Sequence, residues 1–299
     1  LGMDIRDNSV DLAWDLLVQN SAHDSIGGCS LDEIHEDNMS RYKQSIEISQ
    51  CIVDRACQYI TSRMNLEKDI NLVIYNPLNY KREEVLEAYI DVPEKLDLGT
   101  IELLSDGQKL DIAILKRQKS EPILEQLIDR PMYFSMLRYH VLISLKNLPQ
   151  IGFKTLEVKP VKNQATKPTI SDNTTLENNF LKVTINKNGT LNILDKKSGR
   201  AYKNQAYFYD EGEAGHAWVH DSVKPAITTL KNIAETKVLE ENSLRKIVRI
   251  KNMMELPVDL NARKSRGKTI ATEILLDVIL CKNSKHLELK IQFDNQVEA

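Results

Sequence analysis

A histidine and an aspartate stand side by side in a glycine-containing break between two helical segments. His23 and Asp24 belong to the stretch NSAHDSIGGC, residues 20–29. An imidazole is a common metal ligand, and a carboxylate accepts hydrogen bonds from hydroxyl groups. Because catalytic zinc usually takes three protein ligands, one imidazole is not a metal site by itself. The pair is therefore either part of a site completed from elsewhere or a packed polar pair that caps a turn.

A second candidate site is the acidic stretch FYDEGEAGHAWVH, residues 208–220. An aromatic face can stack on the CH groups of a sugar while carboxylates accept hydrogen bonds from its hydroxyls. Trp218 with Asp210 and Glu213 would form such a sugar-binding surface. The alternative is a solvated acidic turn with the Trp218 ring packed inside, and the sequence does not decide between the two.

The composition is that of an ordinary globular protein. The chain has 299 residues, of which 41% are hydrophobic and 28% are charged, and its net charge is −3. Such values argue against a disordered chain, and the net charge offers no general attraction for nucleic acid or an anionic membrane. The four cysteines form no CxxC pair, and no apolar run approaches the ~20 residues of a membrane helix. We expect a soluble protein of a reducing compartment, the cytoplasm.

The N-terminal part of the chain has helical periodicity. Apolar residues three or four apart predict a helix over about residues 9–20. A second helix is expected from Ser30, because Ser30 and Glu33 have the spacing of a capping box, and it continues to about Leu66. Its apolar stripe is either one seam of a helical bundle or a coiled-coil partner surface.

Beyond Leu66 the apolar period changes to two, which predicts antiparallel strands. The stretch 101–115 is expected to form a hairpin around Ser105-Asp106-Gly107. A second hairpin can be placed in register: a three-residue loop over residues 187–189 sets Ile185 opposite Leu191, with Gly189 in the left-handed position of a bulge. A basic stretch, residues 261–268, is expected to be a hydrated loop between strands, with an anion site as the alternative.

These patterns predict an α+β protein with two regions. Residues 1–68 should form a helical-bundle segment, and residues 69–299 a mainly antiparallel β-sandwich region that is truncated at its C-terminus. The chain opens on Leu1 and stops directly after a strand-like run, so we expect a piece of a longer protein.

Several motifs together resemble the α-mannosidases of glycoside hydrolase family 38. Trp14 and the stretch from Asn20 to Asp32, followed by Met39 and Arg41, are similar to the middle helical segment of that family. The likeness continues in the family's β domain through YNPL at residues 75–78, NNF at 178–180 and NGTL at 188–191. It thus extends over nearly the whole chain.

The resemblance implies a specific architecture and chemistry. Family members are retaining exo-α-mannosidases with an N-terminal α/β barrel, a helical bundle and a galactose-mutarotase-like β supersandwich. A zinc ion binds mannose hydroxyls, and the matching positions make His23 a zinc ligand and Asp24 a sugar contact. The stretch at residues 208–220 resembles a loop directed toward the active site. The nucleophile and the other zinc ligands belong to the barrel, which nothing in this sequence matches.

The leading hypothesis is therefore a fragment of a zinc-dependent α-mannosidase that hydrolyses α-mannosidic bonds. It would supply the metal ligand His23 and substrate contacts from Asp24, Asp210, Glu213 and Trp218, but no catalytic nucleophile. Its partners would be a mannose-containing oligosaccharide or small mannoside and the missing barrel of the same chain, with a homo-oligomer left open. Alone, the fragment should neither turn over substrate nor bind zinc tightly. The alternative is a non-catalytic carbohydrate-binding or scaffolding β-sandwich with a helical docking hairpin.

Overall fold

The computed structural model describes residues 8–124, 132–162, 171–216 and 218–298, apart from the side chains of Ile123 and Leu124. Ala217, which belongs to the second candidate stretch, lies outside the described residues. Contacts between residues divide the chain into two compact units, Leu1–Lys68 and Asp69–Ala299. Among the described residues, no helix is long and apolar enough to cross a membrane.

The first unit consists of three helices. Two of them are long and antiparallel, and a short helix lies between them in the chain. Helix α1 is Asn8–Gln19, α2 is His23–Gly27 and α3 is Asp32–Thr61. The helix predicted over about residues 9–20 is confirmed as α1, to within one residue at each end. The break between the long helices is more ordered than expected, because it contains the five-residue helix α2.

The capping box expected at the start of α3 is not formed. The N-cap of this helix is Leu31, and no side chain caps it. Ser30 therefore lies one position outside the helix, where its hydroxyl is not aligned with the free backbone N–H groups of the first turn. The spacing of Ser30 and Glu33 was correct for the motif, but the helix begins one residue later than the motif requires.

The second unit is built almost entirely of antiparallel strands, as the period-two pattern predicted. Its strands are β1 Asn71–Asn76, β2 Arg82–Pro93, β3 Thr100–Ser105, β4 Gln108–Lys109, β5 Ile112–Ser120, β6 Ile123–Leu124, β7 Met132–Tyr133, β8 Met136–Leu148, β9 Gly152–Val161, β10 Leu176–Glu177, β11 Leu181–Ile185, β12 Leu191–Asp195, β13 Ala201–Gln205, β14 Tyr209–Glu213, β15 Ser222–Thr228, β16 Glu235–Glu241, β17 Arg245–Pro257, β18 Thr269–Cys281 and β19 Glu288–Phe293. A short helix, α4 Leu260–Ser265, lies between β17 and β18.

Most of these strands form two β-sandwiches, each made of two sheets packed around its own apolar core. The first pairs the sheet β1-β9-β3-β4 with the sheet β2-β8-β5, and the buried side chains of Leu103 and Val141 belong to its core. The second pairs β10-β11-β12-β13 with β16-β17-β18-β19 around a core that includes Val183 and Val248. The predicted α+β class, a helical segment followed by a mainly antiparallel β-sandwich region, is confirmed.

The hairpin expected over residues 101–115 is much shorter than predicted. Strand β3 pairs with β4 over only two residues, Leu104 opposite Lys109 and Ser105 opposite Gln108. The chain then leaves this sheet, and β5 pairs with β8 in the opposite layer. Alternation alone did not reveal the crossing, because β3 and β5 both present apolar side chains to the same core.

The register predicted for the second hairpin is confirmed. Ile185 lies opposite Leu191 and Val183 opposite Ile193. Gly189 has φ +82°, the left-handed conformation that the three-residue loop requires. An added Cβ there would also come within 2.6 Å of the Asn252 amide nitrogen, so both backbone conformation and space call for glycine.

Candidate functional site

The His23 segment is anchored by a polar cluster between the end of α1 and the start of α3. Asn20 and Asn38 are both buried. The Asn20 amide donates to the backbone oxygen of Asn38 over 2.9 Å, and Arg41 donates to the side-chain oxygens of both asparagines over 3.0 and 2.9 Å. This cluster fixes the point from which the chain turns toward His23. Asn20 and Arg41 were part of the recognised motif, but the role of Asn38 was missed, since one asparagine within a helical pattern carries no distinguishing signal.

Helix α2 ends in a tight, hydrogen-bonded turn. Gly28 has φ +73° in the left-handed region, and its N–H donates to the backbone oxygen of Ser25. The Cys29 N–H donates to the backbone oxygen of Asp24 over 3.1 Å. Glycine is favoured at such a helix end because a Cβ is strained in this conformation. The turn therefore fixes the backbone that carries His23 and Asp24.

The side chains of His23 and Asp24 emerge together on the surface of the helical unit. The imidazole Nε2 lies 3.4 Å from Asp24 Oδ1, and the two side chains are 92% and 59% exposed. The reading in which this pair is buried in helix packing is therefore wrong. Both groups are free to reach a ligand outside the helices.

The Cys29 thiol contacts the same oxygen of the Asp24 carboxylate as the His23 imidazole. Its Sγ donates to Asp24 Oδ1 over 3.5 Å. Partial desolvation, followed by the hydrogen bond to Asp24 and the charge of that carboxylate, raises the pKa of the Cys29 thiol. The thiol consequently stays protonated at neutral pH and acts as a donor that holds the carboxylate.

The donor set at His23 fits zinc chemically, but only as part of a larger set. A neutral imidazole is a usual zinc ligand, and the adjacent carboxylate can hold an imidazole or accept from a hydroxyl. Over the described ranges, no group of three or more histidine, cysteine, aspartate and glutamate side chains could hold a metal ion. His23 can therefore be one ligand of a zinc ion whose other ligands lie outside these residues.

The second candidate stretch forms the hairpin of β14 and β15, and its connecting loop exposes an indole. The Trp218 side chain is 76% exposed. The alternative in which this ring packs inside an acidic turn is therefore wrong. Gly215 allows the loop to close tightly, since an added Cβ would lie 1.9 Å from the backbone oxygen of Val219.

The carboxylate of Glu213 holds this loop together. Its Oε1 accepts from the backbone N–H groups of Gly215 and Asp221 over 2.6 and 2.8 Å, and its Oε2 contacts Nδ1 of His220. The two backbone N–H groups and the His220 contact lower the pKa of Glu213. Both oxygens of Glu213 already have partners, so its proposed contact with a sugar stays a prediction.

A charged network continues from His220 along the hairpin. Glu211 accepts from the Tyr209 hydroxyl over 2.6 Å and from His220 Nε2 over 3.1 Å, and it pairs with Lys224. The hydrogen bond from Lys224, then that from Tyr209, lowers the pKa of Glu211 to about 2. The pKa of His220 is raised by its hydrogen bond to Glu213, which is the largest cause, and by its hydrogen bond to Glu211. The network favours a protonated His220 between two ionised carboxylates.

Asp210 faces a cation that the sequence analysis placed in solvent. Residues 261–268 were expected to be a hydrated loop, but Leu260–Ser265 form α4 and Arg263 is 1% exposed. Its guanidinium donates to Asp210 Oδ2 over 2.5 Å and to the backbone oxygen of Pro225 over 2.9 Å. The loop prediction is wrong because the Asp210 carboxylate offsets the cost of burying this charge, which charge counting along the chain cannot reveal.

Comparisons with known proteins agree with the sequence motifs. Residues 176–298 match the family model described as "Glycosyl hydrolases family 38 C-terminal domain". A curated protein of Halalkalibacterium halodurans named "Putative mannosylglycerate hydrolase" is 24% identical over 94% of this chain. The match covers 36% of that protein, so the chain spans about a third of its relative's length.

Two solved structures share the fold. An α-mannosidase from Enterococcus faecalis superposes with a TM-score of 0.84 at 23% identity, covering 98% of this chain and 38% of that one. A second structure from the same organism, a protein of glycosyl hydrolase family 38, gives 0.83 at 23% identity, covering 98% and 40%. The resemblance of this chain to glycoside hydrolase family 38, indicated first by its motifs, is thereby confirmed.

Proposed function

We propose that this chain is the helical and β-sandwich part of a zinc-dependent retaining exo-α-mannosidase. The proposal is supported by the family match of residues 176–298 and by the exposed His23–Asp24 pair. The observation that carries it is the 92% exposure of the His23 imidazole on a turn with a fixed backbone. An imidazole presented in this way suits a ligand shared with another domain better than a packing role.

His23 would hold the zinc ion, and Asp24 would accept hydrogen bonds from mannose hydroxyls. Bound zinc would supply a Lewis acid that binds and orients those hydroxyls. The Cys29 thiol donates to Asp24 and keeps the carboxylate directed beside the imidazole. The nucleophile and the remaining zinc ligands would come from a barrel domain in the full-length protein.

The exposed Trp218 would provide a stacking surface for a sugar. Its ring can stack on the CH groups of a sugar, and Glu213 holds the loop that presents it. Asp210 keeps Oδ1 as an acceptor while Oδ2 is bound to Arg263. In this proposal the Trp218 ring provides the area that contacts the sugar. Asp210 and Glu213 set the position and the polarity of the hairpin that carries this ring.

The name of the curated relative favours a small mannoside over a trimmed glycan as the substrate. All four cysteines are free, which agrees with the cytoplasmic location that we propose. Burial of His23 and Asp24 in helix contacts would favour the alternative of a non-catalytic scaffold, and their exposure disfavours it.

The test uses the full-length protein with its upstream domain. Bound zinc and hydrolysis of an aryl α-mannoside are measured for the wild type and for His23→Ala. We expect His23→Ala to lose most of its zinc and at least about a hundredfold in rate, as expected for a lost metal ligand. His35→Ala, an exposed histidine on α3, is the matched control and should change neither. Unchanged zinc content and rate in His23→Ala would remove this residue from the mechanism.

The chain of 299 residues alone gives a second test. With only His23 available as a ligand at this position, it should show no turnover and no zinc retained after dialysis. Stoichiometric zinc bound at His23 in this chain would contradict the proposal that the other ligands lie elsewhere.

A further inference from the structure

A cleft of about 900 Å³ lies at the junction of the two sandwiches, and none of its lining residues belongs to either candidate site. One wall comes from the start of β2 and the end of β8, and the other from the turn after β18 and the residues before β11. Ligand pockets commonly have volumes of about 300–1,000 Å³. The cleft is therefore large enough for a monosaccharide or disaccharide with its charged substituents.

The lining of the cleft is strongly basic although the whole chain carries a net charge of −3. Its described lining has five lysine and arginine side chains against the carboxylates of Glu83 and Glu84. The five cations are Lys81, Arg82, Lys146, Lys282 and Lys285. A concave surface lined by one sign of charge concentrates ions of the opposite sign.

Three of these cations have no carboxylate partner among the residues that the structure describes. Arg82 pairs with Glu84 over 2.6 Å, and Lys282 pairs with Asp111 over 2.6 Å. Within the described part of the chain, no carboxylate forms an ion pair with Lys81, Lys146 or Lys285. Lys285 instead lies over the Phe180 ring, 5.5 Å from its centroid. Structural ion pairs thus leave several ammonium groups available to an anion.

The same cleft also offers groups that recognise hydroxyls. The amides of Asn179 and Asn283 line the cleft, and the exposed Tyr80 ring offers a face for stacking.

We propose that this cleft is a binding site for an anionic sugar, one that carries a phosphate or a carboxylate group. The lysines without a carboxylate partner bind the anionic group, while the amides of Asn179 and Asn283 bind hydroxyls of the ring. The site shares no residue with the proposed mannosidase centre, and binding there does not require zinc or hydrolysis.

The experiment is isothermal titration calorimetry on the 299-residue chain with four probes. Mannose 6-phosphate and mannuronate carry the two types of anionic group, and inorganic phosphate and mannose each lack one half of the proposed ligand. We expect one of the two anionic sugars to bind at one site per chain, at least about tenfold more tightly than phosphate or mannose. Whichever anionic sugar binds identifies the anionic group. Binding of neither sugar, or equal binding of inorganic phosphate, would overturn the proposal.

Variants locate the binding site. The double variant Lys81→Gln, Lys146→Gln should weaken binding by about tenfold, since each lost ion pair of an exposed lysine is worth up to about 1 kcal/mol. Lys237→Gln removes one charge from an exposed position on β16 outside the cleft and should have no effect. Asn179→Ala tests the sugar half of the ligand and should weaken binding of the sugar without changing that of phosphate, because it alters no charge in the cleft. Equal affinities for the wild type and the double variant would contradict the site, provided that both unfold at the same temperature.

Discussion

The buried guanidinium of Arg263 donates to the Asp210 carboxylate and thereby joins α4 to the hairpin that presents Trp218. The Arg263 side chain is fully buried, and its Nη2 lies 2.5 Å from Asp210 Oδ2. Gly212 packs directly on it, since an added Cβ there would lie 2.8 Å from Arg263 Cδ. This ion pair links α4 to the hairpin whose loop carries the proposed sugar contact Trp218.

Removing this cation should destabilise the β unit. We expect Arg263→Met to lower the free energy of unfolding by about 3–5 kcal/mol, because Asp210 would lose the partner of a partly buried charge. Urea denaturation followed by circular dichroism measures the change. Lys264→Met, at the next and exposed position of α4, is the control and should stay within about 0.5 kcal/mol of the wild type. Equal stabilities for the two variants would contradict the structural role of the ion pair.

The His220 network makes a prediction about pH. Because the pKa of His220 is raised above 6.5, its contribution to stability is present below pH 6.5 and is lost as the pH rises through the raised value. The pKa of Glu211 is lowered to about 2, so its contribution is present above its ordinary value of 4.5 and is lost as the pH falls toward 2. The His220 network should therefore stabilise the hairpin most between about pH 4.5 and pH 6.5, where both contributions are fully present.

Nuclear magnetic resonance of the His220 ring tests this network directly. The titration midpoint should lie above pH 6.5 in the wild type and move down in Glu213→Gln, which removes the first cause of the shift. Glu288→Gln, an exposed glutamate on β19, serves as the charge control. A wild-type midpoint at or below 6.5 would show that the carboxylates do not hold the protonated imidazole.

The two neighbouring glycines after His23 should respond differently to alanine. Gly28 has φ +73° with no atom within 4 Å of an added Cβ, so Gly28→Ala meets only the backbone cost of about 1–2 kcal/mol. Gly27 lies in α2, and its added Cβ would be at an ordinary 3.8 Å from Cys29 Sγ. Thermal unfolding of the 299-residue chain should show a loss for Gly28→Ala and none for Gly27→Ala. A similar loss in both variants would argue against the left-handed helix end.

The parts of the fold that were predictable are those set by local period. Apolar residues alternate along Leu181–Ile185 and along Leu191–Asp195. A three-residue loop sets the apolar residues of both strands on one face, and this was sufficient to place Ile185 opposite Leu191. The crossing of β5 into the opposite layer depends on where its partner β8 lies. The first residue of that partner, Met136, follows the last residue of β5, Ser120, by 16 residues, and local alternation contains no information about this pairing.

The candidate site residues also divide into those that local sequence reveals and those that depend on distant partners. His23 and Asp24 were found because they are adjacent and lie in a distinctive motif, and Trp218 because it ends an acidic stretch. Asn38 and the basic cleft were missed, since their partners are brought together only by the fold: Lys81, Lys146 and Lys285 come from three distant segments. Arg263 was misplaced for the same reason, because its partner Asp210 precedes it by 53 residues.

The central claim is that His23 is a zinc ligand in the full-length protein, and zinc-edge anomalous diffraction from its crystals tests it most directly. The account predicts an anomalous peak about 2.0–2.1 Å from a ring nitrogen of His23, with the other ligands supplied by the upstream domain. A zinc peak bound without His23, or no zinc in protein that hydrolyses α-mannosides, would contradict it.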